Sequence, residues 1–298
     1  MQGLLLINKP EGLTSFGVVA KIKWLLHTKR VGHTGTLDPM ATGVLPVLVG
    51  RDTVLCGHLL DANKEYIAGV RLGVTTDTLD KTGTVLSECE VNVSKEQVLE
   101  VLNGFLGKQL QVPPMYSALK KDGVRLYDLA REGKEVEREA REIEIFEIEL
   151  LSFNNDEFKI RVLCSKGTYI RSLADDIGKK LGTGAMLTEL IRTKTAGFSL
   201  NECVDLDSLT PENTASFLQS SEKAVLNYPL VNVSSKQAAR FSNGGFLDLE
   251  RMKFSAEPTD KQLYRVKCED KFLGLGEADT EKSVLKVKCL THHSSDRS

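Results

Sequence analysis

The sequence predicts an α+β protein: a mixed, mostly antiparallel sheet with flanking helices, followed by a small β-rich C-terminal module. Three observations carry this. Residues 142 to 164 alternate apolar and polar like the two strands of a hairpin. Helices marked by caps and apolar stripes lie between the strand-like runs. Beyond residue 228 the pattern changes to short strand-like runs around one short helix. A length of 298 residues accommodates one sizeable core and a smaller second unit.

The opening GLLLIN reads as a buried strand. Thr14 or Ser15 can cap a helix whose apolar stripe is Val18, Val19, Ile22, Leu25 and Leu26. Lys21 and Lys23 flank that stripe, and Trp24 and His27 fall opposite it. Residues 32 to 46, GHTGTLDPMATGVLP, cannot form a long regular element. Pro39 removes a backbone donor and biases Asp38 away from the helical region, while Gly32, Gly35 and Gly43 permit conformations that side chains forbid. Asp38 therefore sits on a tight loop, of which the simplest reading is an Asx-Pro turn.

An apolar run from Val44 to Val49 and a strand from Glu65 to Leu72 follow. Ser94 and Gln97 make the capping box of a second helix, with Val98, Val101, Leu102 and Phe105 as its stripe and Gly104 near its end. Between Pro113-Pro114 and Glu142 runs a charged, weakly apolar excursion with a short helix around Tyr127 to Arg131. In the hairpin, Ile143 and Ile145 alternate with acids, the phase slips at Phe146, and Ile148 and Leu150 resume it, which predicts a bulge. The turn falls at Asn154-Asn155, and Phe158, Ile160 and Val162 supply the facing strand.

A third helix follows Gly167, burying Ile170, Leu173, Ala174, Ile177 and Leu181 and stopping at Gly182, with Tyr169 and Arg171 on either side of the stripe. Thr210 to Pro229 reads as a helix and then a linker, placing a boundary near 215 to 228. The C-terminal module holds a helix at Ser234 to Phe241, a turn at Asn243-Gly244-Gly245, several short strands and a frayed tail from residue 291. No internal repeat or low-complexity tract is present.

Composition narrows the function. Apolar residues make up 41% and charged residues 27%, as in globular proteins, and the N-terminal apolar run of five is too short for a signal peptide or a membrane span, so a cytoplasmic protein is expected. Six cysteines without a CxxC pair suit reduced thiols rather than a disulfide framework or zinc site, and no metal site is expected. A net charge of −2 argues against nonspecific coating of nucleic acid. Yet from Gly12 to Leu37 the chain carries Lys21, Lys23, Lys29 and Arg30 and no acid, either a site that steers a polyanion or a solvated basic helix face.

Two aspartates compete for a chemical role. Residues 80 to 84, DKTGT, resemble the phosphorylated-aspartate signature of P-type ion pumps. Such pumps need membrane spans and a later magnesium-holding Gly-Asp-Gly run, neither of which is found, and Leu86 departs from the signature; DKTGT reads as a polar turn between strands.

Asp38 gains context from collinear segments: Asn8-Lys9-Pro10, Gly12-Leu13-Thr14-Ser15, the GHTGTLDPMATGVLPV block, Lys64-Glu65-Tyr66, Pro114-Met115-Tyr116-Ser117-Ala118, Gly167-Thr168-Tyr169-Ile170-Arg171 and LTELIRT from Leu187 to Thr193. Together, over about residues 3 to 200, they resemble the bacterial TruB-type tRNA pseudouridine synthases, which isomerise uridine 55 in the TΨC arm. The resemblance implies the pseudouridine synthase fold over residues 1–220, with an RNA-binding thumb at about 113–142, then a PUA-like RNA-binding domain over 228–290 and a tail at 291–298.

It implies Asp38 as nucleophile, Arg171 as its ionic partner and Lys9 as a support of the loop. His33, Tyr66, Tyr169 and Leu190 are implied as contacts to a flipped-out uridine, Tyr66 by stacking on the base and helping to remove the C5 proton. Lys120, Lys121, Arg125 and Arg131 of the thumb become candidate phosphate contacts. An exposed carboxylate titrates near 3.9, so the chemistry needs no cofactor and no metal. The nucleotide must be flipped out of its stack to meet Asp38.

From the residues alone, Arg171 could instead pair on the surface with Asp175 one turn on. The implied partner is the T arm of tRNA, with no membrane and no protein partner, and a monomer is expected. Alternatives are a guide-RNA-dependent relative acting on ribosomal RNA, against which the compact N-terminus and the thumb speak, a non-catalytic RNA-binding protein, and an aspartyl-phosphate enzyme using Asp80.

Overall fold

A computed structural model describes residues 1–292 apart from positions 118 and 122, with the backbone alone of Lys120, Lys121 and Arg125. Tail residues 293–298, and the phosphate contacts expected of those three side chains, lie outside the described residues.

The N-terminal run forms β1 (Gly3–Lys9), buried along its length, and leads into α1 (Ser15–Leu25). Thr14 is the N-cap, accepting from the Gly17 N–H at 2.9 Å, which leaves Ser15 free to turn inward. β2 (Val31–His33) and β3 (Thr42–Val49) bracket the Asp38 loop. A short α2 (Cys56–Leu59) precedes β4 (Lys64–Leu72). The small hairpin of β5 (Val74–Thr76) and β6 (Val85–Glu88) carries the DKTGT turn.

Ser94 and Gln97 cap α3 (Lys95–Asn103) reciprocally, as their spacing predicts. β7 (Gly107–Gln111) then leaves the sheet for the excursion, a two-residue hairpin of β8 (Lys120–Lys121) and β9 (Val124–Arg125) followed by α4 (Leu126–Arg131). The chain returns in β10 (Arg141–Asn154), which pairs with β7 on one side and β11 (Glu157–Cys164) on the other. The register shifts between Ile145 and Glu147, where the phase slip predicts a bulge, and again between Leu150 and Ser152.

After α5 (Ile170–Leu181), ended by Gly182 at φ +77°, come β12 (Ala185–Thr195), β13 (Phe198–Ser199) and β14 (Val204–Asp205). The main sheet runs β14-β1-β3-β12-β4-β11-β10-β7, with β2 on β3 and β13 on β12. Only β1–β14 and β3–β12 pair in parallel, so the sheet is mixed and mostly antiparallel as expected. At the β3–β12 junction Gly43 lies at φ +104°, and a Cβ there would sit 2.2 Å from the Arg192 carbonyl oxygen. Only glycine lets the two backbones approach this closely.

The predicted helix within 210–229 is absent. In its place two single 3-10 turns, Thr214–Phe217 and Ser221–Val225, are strapped across β1 by reciprocal Leu4–Gln219 backbone bonds of 2.9 Å. The physical reason is that the apolar residues here serve different neighbours. Leu218 packs on the cluster beneath α1, whereas Ala224 and Val225 join a separate cluster, so no single helical stripe could satisfy them.

The C-terminal module is built of β15 (Leu230–Asn232), α6 (Ser235–Ser242), β16 (Leu247–Asp248), β17 (Leu263–Cys268), β18 (Lys271–Asp279) and β19 (Val284–Leu290). Its sheet order is β15-β17-β18-β19-β16, and Val231, Phe241, Val266 and Leu285 fill its own core. Phe272 and Leu275 belong elsewhere, closing with Leu4, Leu6, Leu48, Leu55 and Leu59 into one cluster that spans both sheets. The tail expected to fray from residue 291 begins packed: Thr291 is buried and its N–H donates to Leu273 O at 3.0 Å. Among the described residues no helix is long and apolar enough to cross a membrane, and no cluster of three or more His, Cys, Asp or Glu side chains could hold a metal.

Candidate functional site

The Asp38 loop is held from three directions. Asp38 to Ala41 form a turn closed by Ala41 N to Asp38 O at 3.1 Å. Ser15 exchanges two bonds with Leu37, receiving its N–H at 2.8 Å and donating to its carbonyl at 3.1 Å. Lys9, fully buried, donates to the carbonyls of Pro10 (2.8 Å), Leu13 (2.6 Å) and Pro39 (3.3 Å). Burial pushes the Lys9 ammonium down to about 8, against the opposing pull of Asp38 and Glu11.

With its backbone fixed, Asp38 directs its carboxylate at Arg171, which lies in the first turn of α5. Arg171 Nε is 2.9 Å from Asp38 Oδ2, with side-chain exposures of 5% and 34%. The N–H is not aimed at that oxygen, so the contact is an ion pair rather than a directed hydrogen bond. The rest of the guanidinium donates to Thr78 O at 3.1 Å and Tyr116 O at 2.8 Å. The surface pair with Asp175 is not formed; Asp175 takes Lys179 at 2.6 Å. α5 starts at Tyr169, whose N–H and carbonyl are both engaged by the buried Gln111 amide at 2.8 and 3.0 Å. The strand before the excursion thus caps the helix that carries Arg171.

Asp38 and Arg171 face a cavity of about 260 Å³ lined also by Lys64, Tyr66, Ser117, Tyr169 and Leu190. Segments far apart in sequence converge here, as the Asp38, Arg171 and Tyr66 set requires. Burial raises the phenol pKa of both Tyr66 and Tyr169, keeping them protonated at neutral pH. Lys64 donates to Leu60 O (3.1 Å) and Ala62 O (2.6 Å), and burial, then the nearby Arg192 charge, lowers its ammonium to about 8. Lys9 and His33 are not among the lining residues. Lys9 lies behind the loop, and His33 on β2 is kept neutral by burial and by Arg192.

Two residues have roles in this geometry that the sequence does not reveal: Asp80, read as part of a polar turn, and Arg192. Asp80 does occupy the turn between β5 and β6, but its side chain is 5% exposed and its Oδ2 lies 3.7 Å from Arg171 Nη1. Its Oδ1 accepts from the Thr78 hydroxyl (2.8 Å), the Thr82 N–H (2.9 Å) and the Thr82 hydroxyl (2.6 Å). Arg171 is therefore flanked by two carboxylates. The signal was the pair of threonines around Asp80, which a merely solvated turn does not need. Arg192 is fully buried and donates to Val44 O (2.8 Å) and Gly35 O (3.2 Å), bracing the loop from below; its signal was an arginine inside an apolar strand pattern.

The excursion's base closes over the same region. Arg138 Nη1 donates to Pro113 O at 3.0 Å, and the Tyr116 and Tyr127 rings meet edge to face at 6.1 Å. Arg131, a candidate phosphate contact, lies 4.4 Å over the Tyr127 ring.

Comparison with known proteins follows the same residues. A family model described as TruB family pseudouridylate synthase (N terminal domain) matches residues 23–170, and one described as tRNA pseudouridylate synthase B C-terminal domain matches 171–226. The junction between the two falls inside the main sheet's own core, since α5 and β12 lie beyond it. Proteins named tRNA pseudouridine synthase B are similar over nearly the whole chain. That of Clostridium tetani is 45% identical over 282 residues, 94% of this chain and 97% of its own. That of Chromobacterium violaceum is 42% identical over 299 residues, 99% and 96% of the two chains. Among solved structures, a chain of "Crystal Structure of a Cbf5-Nop10-Gar1 Complex" superposes with a TM-score of 0.77 at 28% identity, covering 98% of this chain and 86% of that one. A chain of "Structure of H/ACA RNP bound to a substrate RNA containing 2'-deoxyuridine" gives 0.75 at 26%, covering 97% and 85%.

Proposed function

Because the chain belongs to the TruB family of pseudouridylate synthases, we propose that it converts uridine 55 in the TΨC arm of tRNA to pseudouridine, with Asp38 as the nucleophile. The observation that carries this reading is the placement of Asp38 at a small cavity, beside the buried Arg171 and facing Tyr66, Tyr169 and Leu190. Such a cavity admits a single nucleotide but no duplex, so the uridine enters flipped out of its stack. The reaction breaks N1–C1′, turns the uracil and joins C5 to C1′. The C5 proton leaves and N1 gains one, so atoms balance without a cofactor.

In this reading Asp38 supplies the covalent handle, and Arg171 holds its charge while the base turns. Tyr66 and Tyr169 offer aromatic walls. Because burial keeps the Tyr66 phenol protonated, stacking suits it better than acting as the base that takes the C5 proton. Leu190 completes the apolar side, Lys9 supports the loop, and the neutral His33 stands on β2 outside the cavity lining.

The choice of tRNA over a guide-directed target rests on the relatives named tRNA pseudouridine synthase B, 42–46% identical, against 26–28% for the chains of protein and RNA assemblies. On the same reading the excursion is the thumb that closes on the T arm. The C-terminal module is a PUA-like RNA-binding domain, and the chain acts as a monomer in the cytoplasm.

The test uses a tRNA transcript carrying C5-tritiated uridine. The wild type releases tritium; Asp38→Asn releases none while it still unfolds in one cooperative urea transition. Release that persists in Asp38→Asn removes Asp38 from the chemistry. Equal release from a transcript with cytidine at position 55 removes that position as the target.

A further inference from the structure

Helix α1 has two faces. One buries Val18, Val19, Ile22 and Leu25 under the main sheet. The opposite face of an amphipathic surface helix is ordinarily polar. Here it carries Phe16 at 70% exposure and Trp24 at 64%, with exposed Ala20 between them and Leu13 just ahead. At 3.6 residues per turn, Phe16, Ala20, Lys23 and Trp24 fall within an arc of about 100°, and the two rings stand about 12 Å apart along the axis. The Lys23 ammonium lies 6.0 Å from the Phe16 ring centroid.

The helix and its flanking segments are basic. Between Gly12 and Leu37 there are four Lys and Arg side chains and no carboxylate. Lys21 is occupied by Asp207 at 2.9 Å, which leaves Lys23 beside the rings and Lys29 and Arg30 just past the helix. The face is also joined to the candidate site. Phe16 directly follows Ser15, whose two bonds to Leu37 anchor the residue before Asp38. Exposed aromatic rings interleaved with positive charge suit single-stranded nucleic acid, whose bases stack and whose phosphates are neutralised. A duplex hides its base faces, so the matching ligand is unpaired.

We propose that this face of α1 is a stacking platform for unpaired nucleotides of the substrate RNA, with Phe16 and Trp24 taking bases and Lys23, Lys29 and Arg30 following phosphates. It rests on the reading that RNA is the substrate. The platform works outside the Asp38 cavity and adds affinity there.

Trp24 is the single tryptophan of the chain, so intrinsic emission reports on this face alone. Titration of the full chain with a tRNA transcript should quench that emission saturably, in step with binding followed by anisotropy of labelled RNA. The double variant Phe16→Ala/Trp24→Ala should bind roughly thirtyfold more weakly or worse, while Trp24→Phe keeps most of the affinity. Lys23→Ala should reduce the slope of log affinity against log salt by about 0.7. Binding with unchanged Trp24 emission, or wild-type affinity in the double alanine variant, overturns the platform. Tritium release from the same tRNA separates the two readings: quenching without release keeps the platform and removes the catalytic proposal, and release without quenching does the reverse.

Discussion

Asp80→Asn removes one charge and almost no volume from beneath Arg171. The amide oxygen can still accept from the Thr78 hydroxyl and from the Thr82 N–H and hydroxyl, so the turn keeps its shape. What changes is the atom 3.7 Å from Arg171 Nη1, which becomes a donor facing a donor. Two unit charges at 3.7 Å attract by about 4.5 kcal/mol at an effective dielectric constant of 20. Asp38 and two backbone carbonyls remain to hold the guanidinium, so a net destabilisation of about 2–4 kcal/mol is expected.

Arg171, released on one side, no longer holds a fixed position against Asp38, and the rate of tritium release should fall by about 10- to 100-fold. The assay is a double-mutant cycle in urea at neutral pH with Asp80→Asn, Arg171→Met and the double variant, paired with single-turnover rates. A coupling energy of at least about 1.5 kcal/mol is expected. Coupling below about 0.5 kcal/mol, or a wild-type rate in Asp80→Asn, would refute the idea that Arg171 is held from both sides.

Other perturbations read the same architecture. Gly43→Ala places a Cβ against the Arg192 backbone at φ +104° and should cost more than about 4 kcal/mol in urea unfolding; a variant as stable as wild type would show that β3 and β12 can separate. Ser15→Ala orphans the buried Leu37 N–H and should cost about 1–3 kcal/mol with a lowered turnover, whereas full activity would mean that Lys9 and Arg192 suffice for the loop.

Lys9 gives a pH signature. Its folded pKa of about 8 lies below the ordinary 10.5, so from about pH 8 to 10.5 the unfolded chain binds more protons and stability rises with pH. Lys9 contributes up to about 3 kcal/mol of that rise, from roughly 2.5 pKa units, and Lys9→Met should flatten the urea midpoint across this window by that share. An unchanged slope would place the titration on Lys64, also lowered to about 8.

Features that depend on neighbours in sequence were legible. The Ser94–Gln97 box and the bulge beside Phe146 are each decided within a few residues, by a cap and a broken alternation, and the hairpin turn falls at Asn155-Asp156, one residue beyond its expected place because Asn154 still pairs with Glu157. The set around Asp38 was legible through a resemblance spread over seven segments, and the structure brings five of its seven residues together at or beside one cavity. What escaped was decided at long range. Asp80 offers locally a polar turn and a short phospho-aspartate-like string, and only Arg171, 91 positions later, shows its role in the structure. Arg192 lies in a strand whose burial follows from the sheet order. The span 210–229 has the composition of a helix, but its apolar residues are claimed by two separate clusters, a conflict that appears only once both exist.

The cluster shared by the two sheets bears on how this chain can be divided. Leu4, Leu6, Leu48, Leu55 and Leu59 are no more than 2% exposed, and Phe272 and Leu275 help to shut them in. Cutting the chain before Leu230 would uncover a contiguous leucine surface on the back of the main sheet, of the kind that drives aggregation. The N-terminal part is thus not a free-standing cartridge to which a binding accessory was added. A C-terminal module transplanted from another chain must reproduce the shape that Phe272 and Leu275 present, or the leucine surface stays open.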